Sequence, residues 1–213
     1  MLIDSAHDFG CMGENGRGNW EVQGLKDRSN VILIGTGSKT LSTNIGFVGC
    51  DDPNVIEYLK YFSTAYMFTN AINPVQAATS LANLRILRSE LGKQLRKKVL
   101  QNYTYLRDKL ESKGHKIFGN PCPILPLYVG NEVVCRLVAR IMMDQGVHVN
   151  GIEFPVVKMG QARLRVNLMP QHTKEHLDTF VRVFEDSFKK ANEIFEREMK
   201  VLEEKQERTQ AKL

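Results

Sequence analysis

Three short apolar runs dominate the first fifty residues: Leu2-Ile3, Val31-Ile32-Leu33-Ile34 and Ile45-Gly46-Phe47-Val48-Gly49. Rich in β-branched or aromatic side chains and bounded by glycine or polar turn residues, they predict buried strands of a mixed or parallel sheet. The first run constrains the fold most. Met1-Leu2-Ile3 reads as the end of a buried strand with no turn or helix before it, yet a parallel sheet needs neighbouring strands and crossover connections. The expectation is an α/β chain that supplies only part of a larger sheet domain, as a C-terminal fragment, a split subunit or a truncated gene product.

Helical punctuation follows. Asp52-Pro53 and Asn73-Pro74 each join an N-cap residue to a proline at the first helical position, predicting a short helix to about Phe62 and a longer one from Pro74. In the longer one, Leu81, Leu84, Leu87, Leu91 and Leu95 recur as one buried stripe. That helix is expected to continue, with a break at Gly92, until Gly114 stops it. Ile117 and the stretch from Ile124 to Val129 read as strands, and Pro123 and Pro126 assign them to a sheet edge. Asn131 is expected to cap a helix ended by Gly146, followed by strands at Val147-His148-Val149 and from Ala162 to Leu168. Thr173 then caps a last helix with Leu177, Phe180, Phe184, Phe188, Ala191 and Phe195 on one face; beyond Met199 it turns almost wholly charged and is expected to fray or project into solvent. The expected organisation is a partial large domain over 1–109, a small α+β domain over 110–200 and a charged helical tail over 201–213.

With 213 residues, 42% of them apolar and 25% charged, the chain is globular rather than disordered. Its net charge of +5 gathers between Lys93 and Lys98 and along the C-terminal tail. Basic helical faces of this kind are ordinarily solvated, so no nucleic-acid partner is expected. Cys11, Cys50, Cys122 and Cys135 show neither metal-ligand spacing nor a dense framework, which predicts free thiols, a reducing compartment and no metal. The start lacks a basic segment followed by an apolar core, and the longest apolar runs are too short to cross a bilayer, so a cytoplasmic location without a membrane span in this chain is expected.

Two clusters carry chemistry: Asp4-Ser5-Ala6-His7 after the first strand, and Gly35-Thr36-Gly37-Ser38-Lys39 after the second. At the carboxyl end of a strand Asp4 lies where open α/β sheets bind ligands. A lysine amine can form a Schiff base with an aldehyde, a carboxylate can keep a pyridine nitrogen protonated, and a turn of glycines and hydroxyls lets backbone amides approach a phosphate. Together these are the equipment for pyridoxal 5'-phosphate (PLP). Taken singly, each residue has an ordinary reading as a surface lysine, a turn aspartate or a loop histidine. Further on, Arg163 and Arg165 share one face of a strand while Leu164 and Val166 take the other.

Taken in order, Ile3-Asp4-Ser5-Ala6-His7, the run Gly10-Cys11-Met12-Gly13-Glu14-Asn15-Gly16-Arg17-Gly18, Lys39, Ala162-Arg163-Leu164-Arg165 and His172-Thr173 resemble the α-oxoamine synthases. These are fold-type I PLP enzymes that condense an amino acid with an acyl-CoA thioester, and the resemblance covers nearly the whole chain. It implies the C-terminal part of a fold-type I transferase: a remnant of the large, mixed-sheet, PLP-binding domain plus a small α+β domain. It assigns Lys39 to the Schiff base and the general base, Asp4 to the pyridine nitrogen, His7 to the phenolic oxygen, and Thr36 and Ser38 to the phosphate or imine. Thr69 resembles the residue that reaches across a dimer interface to the partner's cofactor phosphate, which implies a homodimer with shared sites. Arg165 corresponds to the arginine that binds the amino-acid carboxylate; Arg163 is expected in structural ion pairs and His172 in a structural position. The implied reaction joins glycine, serine or alanine to an acyl-CoA, giving an aminoketone with release of CoA and carbon dioxide, as in sphingolipid biosynthesis. A PLP aminotransferase and a truncated, non-catalytic subunit remain as alternatives. Gly37 stands where a bulky residue is usual and Thr43-Asn44-Ile45 where glycines are usual, departures that bear on substrate class rather than fold.

Overall fold

The computed structural model describes residues 1–210, so the last three residues of the expected tail lie outside the described part. The chain divides into two compact units, Met1–Leu100 and Gln101–Leu213. In the first, β1 (Leu2–Asp4) pairs in parallel with β2 (Ile32–Thr36), Leu2 opposite Ile32 and Asp4 opposite Ile34. Antiparallel to β2 runs β3 (Gly46–Cys50), giving the order β1-β2-β3 and a mixed sheet. Between β1 and β2 the glycine-rich loop leads through α1 (Asn19–Val22). None of the three strands is buried: β2 is half-buried along its length, while β1 and β3 mix half-buried with exposed positions. Two of them are sheet edges, and Gly35, Gly46 and Gly49 offer little side chain to cover.

The helix starts follow the cap chemistry. Asp52 accepts the Asn54 N–H at 2.8 Å ahead of α2 (Pro53–Phe62), which α3 (Thr64–Met67) follows. Asn73 accepts the Gln76 N–H at 2.9 Å ahead of α4 (Pro74–Leu87). The long helix does break, but at Arg88-Ser89 rather than at Gly92, and α5 (Glu90–Ser112) begins with the Ser89 hydroxyl accepting the Gly92 N–H. Gly92 has another task. A Cβ there would lie 2.5 Å from the Ile86 and Leu87 carbonyl oxygens, so the glycine lets the first turn of α5 close onto the end of α4. The break also disperses the leucine stripe: Leu81 and Leu91 are about half exposed.

The second unit contains β4 (Ile124–Gly130), α6 (Glu132–Asp144), β5 (Asn150–Ile152), β6 (Ala162–Asn167) and α7 (Lys174–Gln210). Its sheet is antiparallel with order β4-β6-β5, so β4, which holds Pro126, is the outer named strand, joined on its far side by an isolated bridge from Ile117 to Leu127. Alternation on β6 buries Ala162, Leu164 and Val166 and leaves Arg163 and Arg165 on the other face. Against the buried face pack Val134, Val138 and Met142 of α6 and Leu177, Phe180, Phe184 and Ala191 of α7, with Tyr103, Leu106 and Leu110 of α5. Each buried Val, Leu, Phe or Met among them contributes about 1.5–3 kcal/mol, and this cluster is where the apolar core sits.

Val147-His148-Val149 is not a strand. Gly146 adopts φ +80°, its N–H reaches the Met143 carbonyl at 2.9 Å, and the Val147 N–H turns back to the Met142 carbonyl at 2.9 Å. That pair of bonds closes α6 and uses the donor a strand would need, so pairing with β6 starts only at Asn150, opposite Arg165. The four cysteines are free thiols, and burial pushes that of Cys135 up to about 11.

Gly92→Ala is expected to lower stability by about 1–3 kcal/mol, because the two carbonyls it would meet are backbone and cannot swing aside; chemical denaturation measures this. At pH 8, iodoacetamide is expected to leave Cys135 unmodified in the folded protein and to label it once denatured, read by peptide mass.

Candidate active site

The parallel register of β1 and β2 aligns their carboxyl ends, so Asp4 and the turn that follows Thr36 stand at one edge of the first sheet. The Ser5 N–H extends the ladder to the Ile34 carbonyl at 2.7 Å. Asp4 is exposed and its carboxylate accepts the Ala6 N–H at 2.9 Å, a local turn that directs the chain toward the exposed His7. Ser5 is fully buried, with no hydrogen-bond partner for its hydroxyl among the described residues.

The lysine turn is tightly built. Thr36 Oγ1 lies 3.0 Å from Ser38 Oγ and 3.2 Å from the Ile45 carbonyl oxygen, and it accepts the Ser38 N–H at 3.1 Å. Gly37 donates to the Ile45 carbonyl at 2.8 Å and accepts the Thr43 N–H at 3.0 Å. A Cβ at Gly37 would meet the Thr43 hydroxyl at 2.4 Å, which is why no bulky residue fits before Ser38. Ser42, at φ 52°, is the one non-glycine residue with positive φ among the described residues, a strained conformation of the kind that costs on the order of 1–3 kcal/mol. Ser38 and Lys39 are exposed at the tip.

Residues that sequence reasoning passed over anchor this turn. Thr40 donates to the Phe9 carbonyl at 2.8 Å, Asn83 of α4 donates to the Leu41 carbonyl at 2.8 Å, and the buried hydroxyls of Thr43 and Ser80 lie 3.1 Å apart. Buried Arg96 of α5 donates to the Leu87 carbonyl at 2.9 Å and, across the glycine-rich loop after His7, to the Glu14 carbonyl at 2.8 Å. Desolvation raises the Cys11 pKa beside Thr40. The detectable signal in sequence was a serine inside a helix, Ser80, and an arginine where the α5 pattern calls for an apolar residue.

Thr69 follows α3 in an exposed stretch, away in sequence from the β1–β2 edge. Arg165 belongs to the second unit, where its Nε donates to Asn167 Oδ1 at 3.3 Å. Among the described residues Arg163 forms no ion pair: its Nε donates to the Gln161 carbonyl at 3.1 Å and its guanidinium covers the Phe118 ring at 4.4 Å from the centroid.

The pattern of aminotransferase class I and II matches residues 1–184. The chain belongs to that family. Within it, the relatives are α-oxoamine synthases. The chain is 34% identical over 181 residues to an 8-amino-7-oxononanoate synthase of Geotalea daltonii, covering 85% of this chain and 46% of that protein. To a 2-amino-3-ketobutyrate coenzyme A ligase of Escherichia coli it is 32% identical over 184 residues, covering 86% and 46%. A solved serine palmitoyltransferase holding PLP as its internal aldimine superposes with a TM-score of 0.80 and 26% identity, over 90% of this chain and 48% of that one. The chain thus spans about half the length of the curated relatives it matches. Solved relatives of this family hold PLP. The donor set of the first unit fits that cofactor: a carboxylate, an imidazole, two hydroxyls in a glycine-containing turn and an exposed primary amine. Among the described residues no group of three or more His, Cys, Asp or Glu is arranged to hold a metal ion, and no helix is long and apolar enough to cross a membrane.

Thr43→Val is expected to destabilise the protein by about 1–3 kcal/mol by leaving the buried Ser80 hydroxyl unpaired, whereas the double substitution with Ser80→Ala recovers part of that loss; denaturant midpoints test both.

Proposed function

We propose that the protein to which this chain belongs condenses glycine, serine or alanine with an acyl-CoA, releasing CoA and carbon dioxide and leaving an aminoketone. The observation that carries this reading is the parallel β1–β2 register, which sets Asp4 and the Thr36–Lys39 turn on one carboxyl edge. Lys39 would hold PLP through its amine, Asp4 would pair with the ring nitrogen, His7 would bond the ring's phenolic oxygen, and Thr36 and Ser38 would hold the phosphate. Thr69 would reach the phosphate of a second copy, making a homodimer the working form. Bound PLP supplies an electron sink for the pair of electrons left when a bond at the α-carbon breaks. Arg165 would bind the substrate carboxylate with its guanidinium fork, and Lys39 Nζ would take the α-proton as general base.

In this reading residues 1–109 are part of the cofactor-binding domain, 110–200 the small domain and 201–213 its tail, in a cytoplasmic enzyme. The names of the relatives support acyl-CoA condensation over transamination, and assaying CoA release against keto-acid formation separates the two. Serine as substrate would tie the protein to sphingolipid synthesis.

Mixed with PLP, the protein is expected to turn yellow and, after borohydride reduction, to carry the pyridoxyl mass on the peptide containing Lys39; Lys39→Ala abolishes both. A tag on another lysine, or none when the protein is supplied with the remaining length of its relatives, overturns the assignment.

A further inference from the structure

His7 and Lys39 lie on separate loops, one after each of the two parallel strands, and the side chain of Thr40 ties those loops together. Its hydroxyl donates to the Phe9 carbonyl at 2.8 Å. The Phe9 N–H reaches back to the Ser5 carbonyl at 3.1 Å, and the Ser5 N–H reaches the Ile34 carbonyl of β2 at 2.7 Å. His7 therefore sits inside a short turn, Ser5 to Phe9, whose first end is fixed to the sheet and whose last carbonyl is held by the residue next to Lys39.

Both branches of Thr40 are specified. With its own hydrogen on the Phe9 carbonyl, Oγ1 is left to accept from the Cys11 thiol, whose sulfur lies 3.3 Å away. Burial raises the Cys11 pKa, so the thiol keeps that hydrogen. On the methyl side, Gly10 is buried at φ +81°, and a Cβ there would come within 2.4 Å of Thr40 Cγ2 and 3.2 Å of Leu87 Cδ1. The threonine methyl thus fills the space that the glycine leaves. The Phe9 ring has a second anchor, packing edge-on against Phe47 of β3 with 5.1 Å between centroids, so the loop stays attached when the hydroxyl bond is removed.

In PLP the aldehyde and the phenolic oxygen stand on adjacent ring carbons. An amine that condenses with the first and an imidazole that bonds the second must be held at one separation, to within about 0.5 Å. We propose that Thr40 is the positioning residue that sets this separation, through the bond from its hydroxyl to Phe9. The proposal rests on the reading of Lys39 and His7 as cofactor residues, and it adds a residue that acts through both.

Two substitutions separate the hydroxyl from the shape. Valine keeps both branches and removes the donor; serine keeps the donor and removes the methyl. PLP titration of the full chain, followed by the yellow absorbance, is the measurement, with hydrogen exchange of the PLP-free chain alongside. Thr40→Val is expected to weaken PLP binding about fivefold, and Thr40→Ser less than about twofold. A merely structural threonine would show the same valine effect in any background, so the deciding comparison is a double substitution. Beside His7→Asn, Thr40→Val should cost less than about twofold more, because the imidazole whose place it fixes is gone. In the PLP-free chain, Thr40→Val should speed exchange in the peptides that carry residues 9–18. Unchanged PLP affinity in Thr40→Val, an equal loss in Thr40→Ser, the full valine effect beside His7→Asn, or unchanged loop exchange would each overturn the proposal. A parent whose borohydride tag misses Lys39 overturns the cofactor reading and this proposal together, whereas a tag on Lys39 with any of those four results overturns this proposal alone.

Discussion

Pairing of β1 with β2 in the parallel sense is the constraint on which the first unit depends. Parallel strands end at the same edge, so the ladder that runs from Leu2–Ile32 to the Ser5 N–H on the Ile34 carbonyl also decides where Asp4 and the lysine turn emerge. An antiparallel pairing would have sent the two clusters to opposite edges. Once aligned, the turn is immobilised from several sides, by Phe9 through Thr40, by α4 through Asn83 and Ser80, and by β3 through Ile45. The exposed amine of Lys39 therefore rises from a rigid base, the arrangement that a covalently held cofactor requires.

The second unit reaches order by another route. Its antiparallel strands and two long helices share one apolar cluster, and the alternation of β6 converts that packing into a presentation of Arg165. Burial of Leu164 on one face of the strand forces the guanidinium onto the other. Core packing and the arginines occupy the two faces of a single strand, so a change at Leu164 or Val166 would be transmitted to the arginine between them.

The units also differ in how they are covered. Among the described residues of the first, Leu41 is the one large apolar side chain that is buried, while Tyr58, Tyr61, Phe62, Tyr66, Phe68 and Val75 are well exposed on and around α2, α3 and α4. Polar contacts carry much of the internal organisation of this unit, with Arg96, Asp8 and the Thr43–Ser80 pair all buried.

Local chemistry was legible in the amino-acid sequence wherever it was self-contained. Asp52, Asn73, Asn131 and Thr173 announce helix starts because an N-cap needs only its own next three residues, and Gly114 and Gly146 announce helix ends because positive φ suits glycine. The mixed sheet and the apolar face of α7 followed from periodicity, the edge position of β4 from proline, and the family resemblance from the order of its motifs. What escaped depended on partners remote in sequence. Gly92 reads as a helix breaker until the Ile86 and Leu87 carbonyls are seen to occupy the space of its side chain. Val147 to Val149 reads as a strand until the Val147 N–H is found closing α6. The hydroxyl pair of Thr43 and Ser80 and the loop-spanning Arg96 are set by three-dimensional neighbours, because a hydrogen bond depends on the distance and angle between two groups, and the sequence specifies neither until the chain has folded.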